Sequence, residues 1–177
     1  MWTTRSVIQA GVCAGLLLSS GVVRAQGATP AAPAQRSEGD QAFLKQALGV
    51  NQLELQLGHL AVERGTTPEV KAQGQKMIQK HTELGGQLSE LARQSGMSGD
   101  PVLSPDQAET FARVKSQPAS SFDAVFKKTV DSGHAKELAM YQDELGRTSN
   151  PQLRALSEQR VAALEQSMAA GAQSKGR

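Results

Sequence analysis

Ala61-Val62-Glu63-Arg64-Gly65-Thr66-Thr67-Pro68-Glu69-Val70 is one helix ending and another beginning within a few residues. Gly65 suits the position just past a helix C-terminus, because it tolerates backbone angles that other residues resist. Thr67 is a good N-cap, Pro68 fits the first helical position, and Glu69 places a negative charge in the first turn. Two long amphipathic segments separated by so short a break must turn back on each other, so this stretch predicts an antiparallel helical hairpin.

Working outward, the first segment begins near Ser37 to Asp40, where Ser-x-x-Asp resembles a capping box, and runs to about Arg64. The second runs from Pro68 to just before Gly96. A loop follows, and Ser104-Pro105-Asp106 opens a short helix to about Lys115. Pro118 breaks the chain. A third long helix begins near Ser120 or Ser121 and reaches about Gly146, and Asn150-Pro151 starts a fourth that fades near Gly171. The third and fourth are again joined by a short turn, whereas the second and third are separated by a long connection. Sustained alternation of apolar and polar residues is missing, which argues against β structure. The predicted fold is all-α: a ferritin-like four-helix bundle of two antiparallel hairpins joined by a long crossover that contains a short helix.

The N-terminus reads differently. Met1 to Arg5 carries one positive charge, Val7 to Val23 is mainly apolar, and Val23-Arg24-Ala25 is a small-x-Ala cleavage site. This three-part pattern predicts a signal peptide over residues 1–25, cleaved between Ala25 and Gln26. Gln9, Ser19 and Ser20 make the apolar run marginal for a membrane anchor. Residues 26–36 form a Pro/Ala linker without core-forming side chains, residues 37–171 form the bundle, and residues 172–177 form a polar tail. The expected location is the periplasm, with peripheral outer-membrane association also compatible.

Charge and composition exclude several classes. The chain has 19 Lys and Arg against 17 Asp and Glu. Arg5 and Arg24 lie in the signal, which leaves the mature charge balanced. Nucleic-acid binding needs a cationic field, so it is not expected. Cys13, the one cysteine, also lies in the signal, so the mature chain is expected to have no thiolate nucleophile, disulfide or thiolate metal site. No later segment is apolar enough to be a transmembrane helix. A Gly-rich phosphate loop and a Ser-His-Asp constellation are also missing.

What stands out is polar residues on apolar faces. Glu54 and Asn51 fall on the face formed by Phe43, Ala47, Val50, Leu57 and Ala61. His81 falls at the centre of the face formed by Val70, Met77, Leu84, Leu88 and Ala92, beside Gly74 and Gly85. Glu137 and Glu144 fall on the Phe122, Phe126, Val130 and Met140 face, with His134 at its edge. On the last helix Leu153, Leu164 and Met168 define the face, Ser157 is inside it, and Arg160 and Ser167 lie toward one edge. Glu54 stands about 12 residues before the first turn and His81 about 15 after it, so they differ by about one helical turn in depth. Glu54, His81, His134 and Glu137 are therefore the candidate metal-site residues, a set suited to one divalent ion. The second helix has Ile78, not Glu, three residues before His81, and His134-x-x-Glu137 reverses the di-iron order, so a redox iron pair is not expected. The same side chains can equally be structural, with Glu54 hydrogen-bonded to His81. His59 is expected to be exposed.

Phe43-Leu44-Lys45-Gln46-Ala47, Glu54-Leu55-x-Leu57-Gly58-x-Leu60-Ala61, Pro68-Glu69-Val70-Lys71 and Met77-Ile78-x-Lys80-His81, followed by Phe122-Asp123, His134 and Asn150-Pro151-Gln152-Leu153, resemble the bacterial domain of unknown function 4142 over about residues 40–170. The resemblance implies an exported ferritin-like bundle of the kind often labelled an outer-membrane protein. It also implies an Asp before the third-helix histidine, where this chain has Gly133, and a fourth-helix histidine where it has Ser167. Two functions are compatible with these residues. One is a non-enzymatic bundle with an envelope or stress-related role, its partner an envelope protein or a homo-oligomer. The other is a bundle that holds a divalent ion through its inward His and Glu.

Overall fold

The computed structural model describes residues 38–175. The predicted signal, its Ala25–Gln26 cleavage site, the linker and the Ser37 cap lie outside the described residues. Five helices make up the described chain, with no strand among them: α1 (Glu38–Arg64), α2 (Pro68–Gln94), α3 (Pro105–Lys115), α4 (Ala119–Arg147) and α5 (Pro151–Lys175).

Most helix ends follow the expected chemistry. Thr67 Oγ1 accepts the Val70 N–H at 3.4 Å, which caps α2. At its other end Gly96 takes a left-handed φ of 76°. There the Met97 N–H donates to the Ala92 carbonyl and the Gly96 N–H to the Arg93 carbonyl, closing a Schellman motif. Ser104 and Gln107 form a reciprocal capping box on α3. Asn150 Oδ1 accepts the Gln152 and Leu153 N–H groups and caps α5. α4 begins at Ala119 after Pro118, next to the expected Ser120 or Ser121 and without a side-chain cap. One boundary differs from expectation. α5 continues to Lys175, because a single glycine costs a helix only about 1 kcal/mol and alanines flank Gly171.

Cross-links fix the helix directions. Gln41 Nε2 donates to the Ser95 carbonyl at 2.8 Å, joining the start of α1 to the end of α2. Phe43 and Tyr141 meet edge to face at 5.1 Å, placing the end of α4 beside the start of α1. At the opposite end the Asp123 carboxylate accepts from the backbone and hydroxyl groups of both Thr66 and Thr67 at 2.8–3.0 Å. Arg64 donates to the carbonyls of Lys115 and Gln117 and lies over the Phe122 ring. Thus α4 runs antiparallel to α1 and parallel to α2, and residues 95–118 return along the helices.

The tightest approach is between α1 and α2. A Cβ on Gly74 would stand 2.6 Å from the Gly58 carbonyl oxygen, 2.9 Å from Ala61 Cβ and 3.0 Å from the Val62 nitrogen. Two of those neighbours are backbone and cannot turn aside. Gly74→Ala is therefore expected to destabilise by about 1–3 kcal/mol, since overpacking outweighs the gain in helix propensity. Gly86, on the same helix, has nothing within 4 Å of a built Cβ. Gly86→Ala is expected to stabilise by up to about 1 kcal/mol. Urea melts of the two variants should move in opposite directions.

The core has two apolar parts. One gathers Phe43, Leu44, Leu48, Leu84, Leu88, Tyr141, Leu153 and Leu156. The other gathers Leu57, Leu60, Val70, Met77, Val114, Phe122, Phe126 and Val130. Met168, expected on the inner face, is 38% exposed. Between the two parts lies a polar layer.

Candidate functional site

Glu54, His81 and Glu137 are each only 2% exposed, and Asn51, Ser157 and Arg160 are buried with them. His134 is half-buried and His59 is exposed. The hydrophobic faces of four helices therefore turn these polar groups inward together.

Their pairing differs from expectation. Arg160 Nε donates to Glu137 Oε1 at 2.8 Å and Arg160 Nη2 donates to Glu137 Oε2 at 2.7 Å, a bidentate buried ion pair between α4 and α5. His81 Nδ1 lies 3.0 Å from Asn51 Oδ1 rather than against Glu54. Since Oδ1 can only accept, Nδ1 carries the hydrogen, and Nε2 is left with its lone pair. Gly85 makes this contact sterically feasible: a Cβ there would stand 2.7 Å from Asn51 Nδ2. The expected Glu54–His81 pair is thus replaced by an Asn51–His81 pair.

Glu54 is the member left over. Its Oε2 is buried and has no hydrogen-bond partner. Oε1 occupies the space beside Gly133, where a Cβ would stand only 2.8 Å away. The glycine that departs from the expected Asp is what makes room for this carboxyl. Burial, reinforced by the Glu137 charge and opposed by Arg160, raises the Glu54 pKa to about 8. Burial also lowers His81 to about 3, with the positive charges of Arg160, His134 and Lys80 acting in the same direction. His134 is lowered as well, chiefly by desolvation. At neutral pH Glu54 is mostly a neutral acid and His81 a neutral imidazole. Near the α1 start Glu144, 1% exposed, is raised to about 7 by burial and by Asp40, with Arg147 opposing.

Two openings flank the layer. A cleft of about 310 Å³ between α1, α3 and α4 is lined by Glu54, Gly133 and Glu137, with Gln107, Arg113 and Lys136 also on its wall. A smaller pocket of about 120 Å³ between α2, α4 and α5 is lined by His81, His134 and Arg160, with Lys76, Lys80 and Ser167. Ser167 stands where the resemblance implies a histidine, beside the other two imidazoles.

All four predicted residues thus belong to one region, but they do not converge as a ligand set. Both Glu137 oxygens are engaged by Arg160. Among the described residues no group of three or more His, Cys, Asp or Glu side chains is arranged to hold a metal ion. Arg160 is the decisive residue that sequence reasoning placed only at an edge. Depth arithmetic applied to the second turn would have found it: Glu137 stands about 11 residues before that turn and Arg160 about 10 after.

The described residues define an all-helical fold with a buried polar network between two apolar cores. The domain of unknown function (DUF4142) family matches residues 25–173, and the chain belongs to that family. No curated protein matches it. The crystal structure of a DUF305 fragment from Deinococcus radiodurans is similar, with a TM-score of 0.69 at 19% identity, over 82% of this chain and 99% of that one. At that identity the likeness shows a shared fold. No described helix is long and apolar enough to cross a membrane.

Proposed function

We propose that this chain is an exported, non-enzymatic helical bundle of ferritin-like architecture that acts in the periplasm by binding rather than by catalysis. The observation that carries this reading is the Glu137–Arg160 pair. Arg160 supplies, as a fixed side chain, the positive charge that a divalent ion would bring to a buried carboxylate. The parallel direction of α2 and α4 and the long return through α3 support the ferritin-like crossover. The three-part N-terminal pattern supports export, as does a family match that starts at residue 25. In this reading the polar layer fixes helix register between two apolar cores, a role attested for buried polar groups elsewhere.

A metal-binding role would use Glu54, His81, His134 and Glu137, and it would require Glu137 to leave Arg160. Purified without a histidine tag, the protein is expected to keep its melting temperature when zinc, manganese or copper is added. An ion at a hundredfold excess over its Kd adds about 2.7 kcal/mol. A rise of several degrees with any of these ions, lost in His81→Ala, would contradict the proposal.

A further inference from the structure

We propose that the pocket between α2, α4 and α5 binds a small protonated oxyanion of the hydrogen-phosphate type, held by Lys76, Lys80, Arg160 and Ser167 and reporting its proton to His81. No Asp or Glu lines this pocket. Three permanent cations face it, and Lys76 and Lys80 are in no ion pair among the described residues. Arg160 spends Nε and Nη2 on Glu137, which leaves the Nη1 donors unused. Asp131 and Glu137 act on His134 from α4, but neither lines the pocket. Arg160, His134 and Lys80 disfavour protonation of His81, and no carboxylate opposes them. A pocket of about 120 Å³ with two lysines outside any ion pair and a guanidinium with donors to spare fits one small anion better than a metal cation or an extended ligand.

His81 sets the choice among anions. Its Nδ1–H is committed to Asn51, so Nε2 presents a lone pair. A bare dianion would set lone pair against lone pair there. An anion that retains a P–O–H group donates that hydrogen to Nε2 while its other oxygens accept from the lysines, Arg160 Nη1 and the Ser167 hydroxyl. Sulfate carries the same shape but no hydrogen at neutral pH. The structure therefore favours phosphate over sulfate through one identified atom.

Calorimetric titration of the full purified chain at pH 6.5, in a phosphate-free buffer, tests this with inorganic phosphate, sulfate and glycerol 3-phosphate. Phosphate is expected to bind with a Kd below about 1 mM, at least about tenfold tighter than sulfate. Lys76→Met with Lys80→Met, both on the exposed rim, is expected to weaken phosphate by about tenfold or more with an unchanged circular dichroism spectrum. His81→Gln, which can present a donor in place of the lone pair, is expected to remove the preference over sulfate. Absence of phosphate binding, equal binding in the lysine variant, or equal affinity for sulfate would overturn the proposal. Glycerol 3-phosphate binding as tightly as phosphate would overturn the assignment to a free anion. A zinc-induced thermal shift would bear on the proposed function alone, and the two readings can fail separately.

Discussion

Replacing Arg160 by methionine is expected to cost about 3–5 kcal/mol of stability at pH 7, read as a lower urea midpoint. The guanidinium is 9% exposed and its carboxylate partner 2%, so neither can fall back on water when the other is removed. Loss of the cation takes away two charge-assisted hydrogen bonds and leaves Glu137 buried beside Glu54, whose carboxyl already lacks a partner for one oxygen. Removing both charges with Glu137→Leu and Arg160→Met should recover most of the loss, because a buried ion pair can often be exchanged for packed hydrocarbon with little net change. If the single variant unfolded no more easily than the native chain, the pair would not be the buried anchor described above.

Glu54→Gln is expected to stabilise the protein, by an amount that depends on pH. The folded chain holds the Glu54 proton up to about pH 8, whereas the unfolded chain releases it near 4.5. Below 4.5 both states are protonated and the group adds no pH-dependent cost. Between 4.5 and 8 the unfolded state loses the proton while the folded state keeps it, so native stability falls with rising pH by about 1.4 kcal/mol per unit. Glutamine keeps the shape and never ionises. The advantage of Glu54→Gln over the native chain should therefore be small at pH 4 and reach about 4 kcal/mol or more by pH 8. His81 acts at the other end. Its folded pKa lies near 3 against 6.5 unfolded, so its contribution is intact above 6.5 and is lost as pH falls toward 3. Glu144 adds to the alkaline fall up to about pH 7. Because these groups are common to both chains, the difference between the two melts isolates Glu54.

Helix positions were legible in the sequence because they are written in local chemistry. Thr67-Pro68, Ser104-Pro105 and Asn150-Pro151 each announce a start, and Gly96 announces a stop. Burial was legible too: periodicity placed Glu54, His81, Glu137, Glu144 and Ser157 inside, and all five are buried. Which of them touch was not legible, because a wheel fixes direction around one helix but not the rotation of one helix against another. Arg160 appeared to sit at an edge, yet its long side chain reaches the Glu137 carboxylate across the α4–α5 contact. Asn51 was noticed but not assigned a partner, because the gap that admits it is created by Gly85 on a different helix. Pro118 marked the start of α4 to within two residues, and its carbonyl accepts the Ser121 and Phe122 N–H groups.

The central claim is that Arg160 balances the charge of the buried layer by pairing with Glu137, with Glu54 kept as a neutral acid rather than ionised against a bound cation. Its most direct test is the titration of the Glu54 carboxyl carbon by nuclear magnetic resonance, assigned by comparison with Glu54→Gln. The account predicts a midpoint near pH 8. A midpoint at or below the ordinary carboxylate value of about 4.5 would show a buried positive partner that this arrangement does not contain, and would contradict it.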